Sequence, residues 1–305
     1  MQNIIHYKIL LIIKIDKILN LHNYNLMLKY LSNIDIVIYH ANCHDGMSAA
    51  SIYNHYYPGK RLIPMKHYET PKEVFSQKKI LFLDFSFKQE IMEVLMMENQ
   101  IFVVDHHITA MFLKKILPKT NHYIHKDRCG AMLLWSIINK NIEPPIILKY
   151  VNDRDLWLNK LPDYMYVFDG LVHMKPSVKL MEKLIFETKD ITEIIKLGKI
   201  VNKAKMDNID FIKNKVYIKP YTFNERVYKV AYVNCPIFGS DLGSYLVNNF
   251  QVDFAGIFHF NGIKTIFSLR GKGKADLSSI AKKYGGGGHF DASGCAIMGL
   301  VSELI

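Results

Sequence analysis

Three short runs of the chain, IVIYH (36–40), KILFLDF (79–85) and IFVVDHH (101–107), are apolar along most of their length and then turn polar. Their length and composition constrain the fold more than any other feature. A strand with one wet face alternates apolar and polar residues, whereas a strand that is apolar throughout is buried on both faces, as in a parallel sheet covered by helices. The segments between the runs, GMSAASIYNHYY, KQEIMEVLMMEN and, further on, RCGAMLLWSIINK, have helix-compatible spacing. Strands alternating with helices in this way predict an α/β domain. Such sheets bind ligands beyond the carboxyl ends of their strands. His40 to Asp45, Asp84, and Asp105 to His107 all fall there.

The segment YVNDRDLWLNK (150–160) reads as a polar break carrying Asp153 and Asp155, with Trp157 taken as a core residue rather than a base-stacking one. A Lys- and Ile-rich stretch, roughly 178 to 217, has helical spacing and few breakers, so it predicts a connecting helix or helix pair. A second module then starts near Asn224, with strands in ERVYKVAYV, VDFAGIFHF and IKTIFSLR, a helix around DLSSIAKKY, and the segment GGGGHFDASGCAI. The expected organisation is an N-terminal extension over 1–33, an α/β domain over 34–180, a helical linker over 181–220 and a smaller α/β domain over 221–305.

The first residues, MQNIIHYKILLIIKIDKIL, resemble a membrane or signal segment only superficially. Their longest uncharged apolar stretch, Ile9 to Ile13, lies between Lys8 and Lys14. A spanning helix needs roughly 20 apolar residues and a signal core roughly 7–15. Residues 1–26 are read as an appendage or an upstream misread of the start site, and a cytoplasmic protein with no membrane partner is expected. Cysteine usage agrees: Cys43, Cys129, Cys235 and Cys295 lie far apart with no CxxC pair, which disfavours a disulfide scaffold or a zinc ribbon. The net charge of +11 and pI near 9.2 suit an anionic partner such as nucleic acid or a phosphorylated metabolite.

Taken together, His40, Asp45, Asp84, His106 and Asp153 form a mixed set of carboxylates and imidazoles. Such a set suits borderline divalent ions such as Mn²⁺, Co²⁺ or Zn²⁺ rather than Ca²⁺. A carboxylate shared between two ions would let it hold a pair about 3.5–4 Å apart, the arrangement of a two-metal hydrolytic site. Singly, each residue has a plainer reading: Asp84 as a helix or turn cap, His40 as a hydrogen-bonded histidine, Asp153 and Asp155 as loop caps. His67, His122 and His125 show no such spacing and are read as surface or structural. The run Gly285 to Gly288, followed by His289, permits close approach of backbone to a ligand and aims N–H groups at an anion.

Asp105-His106-His107 together with GGGGHFDASG resembles the DHH phosphoesterase superfamily with a C-terminal DHHA1 domain, over roughly residues 34 to 300. That superfamily includes RecJ-type exonucleases, nanoRNases and cyclic-dinucleotide phosphodiesterases. The resemblance implies a parallel-sheet N-terminal DHH domain joined by a helical linker to a smaller α/β DHHA1-like domain. It also implies that His40, Asp45, Asp84, His106 and Asp153 are metal ligands, with Asp84 bridging two ions and Asp155 the alternative to Asp153. His107 then faces the phosphate and Asp105 orients it. Arg270 and Gly286, Gly287, Gly288 and His289 correspond to the substrate-holding surface. The first motif departs from the usual pattern: HANCHDG has Cys43 and His44 where a middle aspartate is expected, so either one replaces that ligand or one metal site is weaker.

The leading expectation is a metal-dependent phosphodiesterase or exonuclease acting on a single-stranded oligonucleotide or a small nucleotide. Two divalent ions are expected, Mn²⁺ first, with Mg²⁺ or Co²⁺ as alternatives. Two other readings remain: a phosphomonoesterase on a small phosphorylated metabolite, and a catalytically inactive nucleic-acid-binding protein.

Overall fold

The structure, a computed structural model, describes residues 25–66 and 69–300. The expected appendage (1–26) falls almost entirely outside the described residues, as does His67. Among the described residues the chain divides into two compact units at Val201/Asn202.

The first unit begins with helical residues 25–32 (α1) and continues through β1 (Ile36–His40), α2 (His44–Tyr56), β2 (Arg61–Met65), β3 (Lys79–Leu83), α3 (Gln89–Glu98), β4 (Gln100–Asp105), α4 (Leu113–Ile116), β5 (His122–Ile124), α5 (Gly130–Ile138), α6 (Ile146–Asp155), α7 (Tyr164–His173) and α8 (Val178–Glu187). Its five strands are all parallel, in the order β2-β1-β3-β4-β5. The three apolar runs are the three central strands. Their residues alternate between two cores, because successive side chains point to opposite faces. Val37, Leu81, Leu83, Phe102 and Val104 join one core with residues of α2, α5 and α6. Ile36, Ile38, Ile80, Phe82, Ile101 and Val103 join the other, with Met92 and Leu95 of α3.

The chain leaves β1 toward β2 on one side and then returns to lay β3 against the other side of β1. The strand order therefore reverses between β1 and β3, and the helices that follow these strands diverge. Such a point opens a crevice beyond the carboxyl ends of the strands.

Segment 150–160, expected as a polar break, instead begins inside a helix, since α6 runs to Asp155 and carries both aspartates. The Lys- and Ile-rich stretch forms a pair of helices, α8 and α9 (Thr192–Ile212). The second unit contains β6 (Tyr217–Phe223), β7 (Arg226–Asn234), α10 (Gly239–Asn249), β8 (Phe254–Phe260), β9 (Lys264–Gly271), α11 (Leu277–Lys283), β10 (Gly287–Gly288) and β11 (Ala292–Met298). They form a mixed sheet in the order β10-β11-β9-β8-β7-β6, in which only β7 and β8 run parallel. Val230, Tyr232, Phe254 and Leu269 pack with Leu277 and Ile280 of α11, while Ala231, Val233, Ala255 and Ile257 pack with Leu242 and Leu246 of α10. Pro220 lies in β6, the edge strand, where a missing N–H is tolerated. Among the described residues no helix is long and apolar enough to cross a membrane.

Candidate metal centre

Three strand ends and two helix ends deliver the candidate ligands to one place. His40 closes β1, Asp84 follows β3, and Asp105 closes β4 with His106 and His107 directly after it. Asp45 lies in the first turn of α2 and Asp155 is the last residue of α6. Asp84 has φ of 51°. That left-handed conformation is uncommon for a side-chain-bearing residue, though Asp tolerates it better than most. The Asp84 N–H still donates to Val104 O at 3.0 Å, so the backbone is held in the turn. Strained positions of this kind concentrate at functional sites.

Two glycines admit the close packing. A Cβ on Gly46 would lie 2.3 Å from the His40 carbonyl oxygen, so only glycine lets α2 start against the end of β1. A Cβ on Gly130 would lie 3.0 Å from Asp84 Cβ and 3.1 Å from Asp45 Oδ2. Asp45, fully buried, accepts the Gly130 N–H at 2.6 Å and the Ala131 N–H at 2.7 Å. It thus satisfies two of the free donors at the start of α5 while its Oδ2 stays 3.7 Å from His106 Nε2.

Asp84 is the hub. Its Oδ2 lies 3.3 Å from His40 Nδ1, and its Oδ1 lies 3.3 Å from His106 Nε2 and 3.5 Å from His107 Nδ1. His106 Nε2 also lies 3.1 Å from Asp155 Oδ2. Asp105 takes a different part. Its Oδ1 accepts the backbone N–H groups of His106 and His107, at 2.6 and 3.0 Å, and meets His107 Nδ1 at 2.7 Å. It locks the turn and the His107 ring together, as an outer-shell acid does for a ligating histidine.

The charges are strongly coupled. Burial pushes the Asp84 carboxyl up, but the close imidazoles of His106 and His40 outweigh it and hold the group below the usual carboxylate range. Burial works against a charged His107, yet its bond to Asp105 and the charge of Asp84 push its pKa up to about 10. His106 is likewise depressed by burial and raised on balance by Asp84 and Asp155. Asp155 is pushed up to about 6, by burial first and then by Asp84. Asp45 is raised by burial and by the charges of Asp84 and Asp155. Without a cation the cluster thus depends on protons to offset packed carboxylates.

Asp84 Oδ1, His106 Nε2 and Asp155 Oδ2 are buried yet make no hydrogen bond. Buried polar atoms that make no hydrogen bond are costly and rare, and three of them close together in one cluster fit a divalent cation that accepts all of them. Ligand-capable atoms group in three sets, each within 4.8 Å: Asp84, Asp105, His106 and His107; His40, Cys43 and Asp84; and Asp45, His106 and Asp155. Asp84 belongs to two sets and reaches the third through His106, as a shared carboxylate must.

The structure brings His40, Asp45, Asp84 and His106 together, with Asp155. It does not bring in Asp153, whose carboxylate turns instead to the following loop and accepts the N–H groups of Lys160, at 3.0 and 3.1 Å, and Leu161, at 3.4 Å. Of the two replacements considered for the missing aspartate, Cys43 enters the set around His40. His44 packs its ring 5.3 Å from that of Phe168, and burial pulls its pKa down to about 4. The Cys43 thiol is raised by burial and by the neighbouring carboxylates, so it needs a bound cation to ionise. Trp157, expected in the core, is 51 % exposed. Gly130 was missed by the sequence reading, and its only signal was the position at the start of an apolar helix.

In the second unit the glycine run has a packing role. Gly285 and Gly288 have φ of 71° and 139°, and a Cβ on Gly286 would lie 2.1 Å from Gly294 O. Gly287 pairs with Gly294 across the β10–β11 hairpin, so the run brings backbone against backbone. His289 stands exposed at the hairpin tip. The Arg270 guanidinium donates to Leu269 O at 2.7 Å and to the Ser240 hydroxyl, and its stem packs over Gly243 of α10.

No family profile matches the chain. It is 28% identical over 289 residues to the uncharacterized protein R106 of Acanthamoeba polyphaga mimivirus, covering 88% of this chain and 68% of that protein. Among solved structures it is similar to the DHH domain of a member of a family of ribosomal proteins, with a TM-score of 0.59 and 12% identity over 91% of this chain and 85% of that one. It is also similar to a pGpG-specific phosphodiesterase from Vibrio cholerae, with a TM-score of 0.51 and 12% identity over 86% of this chain and 92% of that one. A third likeness, to Thermus thermophilus RecJ in complex with Mn²⁺, has a TM-score of 0.51 and 14% identity, covering 90% of this chain but 51% of that one. The chain therefore has the fold of the DHH phosphoesterase superfamily, the one its motifs resemble.

Proposed function

We propose that this chain is a divalent-metal-dependent phosphodiesterase, with Mn²⁺ as the preferred ion and a short oligonucleotide or small nucleotide as substrate. The observation that carries this is the Asp84 carboxylate, whose two oxygens face His40 on one side and His106 and His107 on the other, with buried ligand atoms left unbonded around it. His40, Cys43 and Asp84 would hold one ion and Asp45, Asp84, His106 and Asp155 a second. When bound, such ions polarise a phosphoryl oxygen and lower the pKa of an attacking water. Two fold relatives, a pGpG-specific phosphodiesterase and a RecJ in complex with Mn²⁺, support the same class and ion.

The chain's own residues do the rest. Asp105, bonded to His107 Nδ1, leaves Nε2 as the nitrogen that can donate to a phosphoryl oxygen. Because Asp105 also binds two backbone N–H groups, the His107 ring is positioned before substrate arrives, which limits reorganisation during the reaction. Asp45 ties the metal ligands to the start of α5. In the second unit, Arg270 and the segment Gly286 to His289 are proposed as substrate-binding residues, as the resemblance implies.

Hydrolysis of a panel from dinucleotides to long single strands, with Mn²⁺, Mg²⁺ or chelator, tests the proposal. Mn²⁺-dependent release of nucleoside monophosphates is expected. Hydrolysis that survives chelation, or no cleavage of any phosphodiester, would exclude it.

A further inference from the structure

Beside the metal centre, on the side where α6 ends, stands a group of residues that the proposed chemistry does not use. Arg154 immediately precedes Asp155. Its guanidinium carbon lies 4.3 Å from the centroid of the Trp157 ring and 4.4 Å from that of Phe168. Phe168 in turn lies 5.3 Å from the ring of His44, which sits between Cys43 and Asp45. The row His44, Phe168, Arg154, Trp157 thus starts at the residue between Cys43 and Asp45 and includes the neighbour of Asp155.

Two features of this row stand out. First, among the described residues no carboxylate pairs with the Arg154 guanidinium and no hydrogen bond uses its N–H groups. Nearby acids exist, but Asp155 faces His106 and Asp153 is occupied by the Lys160 and Leu161 N–H groups. Contact with two rings holds the guanidinium in place while its N–H groups carry no hydrogen bond, and a guanidinium edge matches the oxygens of a phosphate. Second, Trp157 is half exposed although it is one of the most costly residues to leave in water. Its φ is 55° and its N–H donates to Arg154 O at 3.0 Å, so the backbone holds the indole outward. Arg154 is the only group among the described residues that stacks on its ring. A half-exposed indole with one occupied face is a platform for a second planar group.

We infer that Arg154 and Trp157 form a nucleotide subsite, in which the guanidinium binds a phosphate next to the scissile one and the indole stacks on the attached nucleobase. This rests on the phosphodiesterase reading and narrows it: the substrate carries bases, so chains of inorganic phosphate are not what the site fits. Phe168 and His44 position Arg154 and do not touch the ligand.

The test uses the full chain loaded with Mg²⁺ and an adenine dinucleotide joined by a methylenephosphonate linkage, which phosphoesterases do not cleave. The chain has two tryptophans, and Trp135 is buried at 5 % exposure, so Trp157 dominates any ligand-dependent quenching. The dinucleotide should quench the fluorescence saturably, and Trp157→Phe should abolish the signal. Arg154→Met should raise Kd about tenfold or more, the loss expected for charge-assisted hydrogen bonds, and Arg154→Lys should fall between. Ribose 5-phosphate, which has no base, should bind far more weakly. Retention of the wild-type melting temperature in each variant separates lost binding from lost folding. No saturable quenching, equal affinity for ribose 5-phosphate, or unchanged Kd in Arg154→Met would each overturn the inference. Binding is read without turnover. Hydrolysis without quenching would thus sink this inference alone, and quenching without hydrolysis would sink the phosphodiesterase reading alone.

Discussion

Asp84 Oδ1 and His106 Nε2 lie 3.3 Å apart, both buried, and neither makes a hydrogen bond. Residues separated by 22 positions in sequence are brought to this distance because β3 and β4 pair in parallel and end level with one another, Leu83 opposite Val104. The sheet register sets the distance, and a cation shared by the two atoms would account for their close approach without a hydrogen bond.

Replacing Asp84 with Asn should therefore remove hydrolysis while the protein stays folded. The amide keeps the shape but loses the charge that both ligand sets share. Activity assays and thermal unfolding with and without Mn²⁺ would check this. The variant should show no Mn²⁺-induced rise in melting temperature, whereas a normal rise with normal activity would remove Asp84 from the centre.

Asp105 should behave differently, because it touches His107 and backbone N–H groups. Outer-shell acids of this kind typically contribute about 10–100-fold to affinity or activity, so Asp105→Asn should lower kcat/KM by about that factor and leave a measurable rate. The His107 pKa should drop well below its value of about 10, which histidine NMR titration of the metal-free protein would show.

Asp153 and Asp155 give a direct contrast. Asp153→Asn weakens the bonds to Lys160 and Leu161, and hydrogen bonds to a charged group contribute about 1.5–3 kcal/mol each. Its melting temperature should fall by several degrees, at about 2–4 °C per kcal/mol for a unit of this size, with the Mn²⁺ response retained. Asp155→Asn should abolish or strongly reduce the Mn²⁺ response. The opposite pattern would restore Asp153 as the ligand.

The pH dependence follows from Asp155. Its pKa is raised from 3.8 to about 6, so its contribution to stability is greatest below pH 3.8 and is lost as pH rises through 6. A divalent ion replaces the missing proton, and metal binding competes with protonation. The Mn²⁺-induced rise in melting temperature should therefore be small at pH 5 and large at pH 7.5, and Asp155→Asn should flatten the difference. A rise equal at both pH values would contradict this assignment.

The central strands and the positions of His40, Asp84 and His106 were legible because fully apolar runs and their polar ends carry both strand type and strand direction. The choice between Asp153 and Asp155 was not. Residues two apart on a helix face different ways, and only knowing that α6 extends to Asp155 shows which one turns toward the sheet. The glycine run was legible as special but not in its purpose, because Gly286 meets Gly294 across a hairpin whose pairing no local pattern reveals. Trp157 read as core because size alone favours burial, and its outward position depends on a positive φ that sequence does not mark. The strands β2, β5 and β6 lack long apolar runs, since all three are edge strands and β5 spans only three residues.

A Mn²⁺-soaked crystal, with anomalous scattering recorded at the manganese edge, tests the central claim most directly. The account predicts a peak within about 2.0–2.3 Å of an Asp84 oxygen, with His106 Nε2 or His40 Nδ1 completing the shell, and a second peak on the other side of the same carboxylate at higher Mn²⁺. Manganese bound elsewhere, with Asp84 outside its coordination shell, would contradict it.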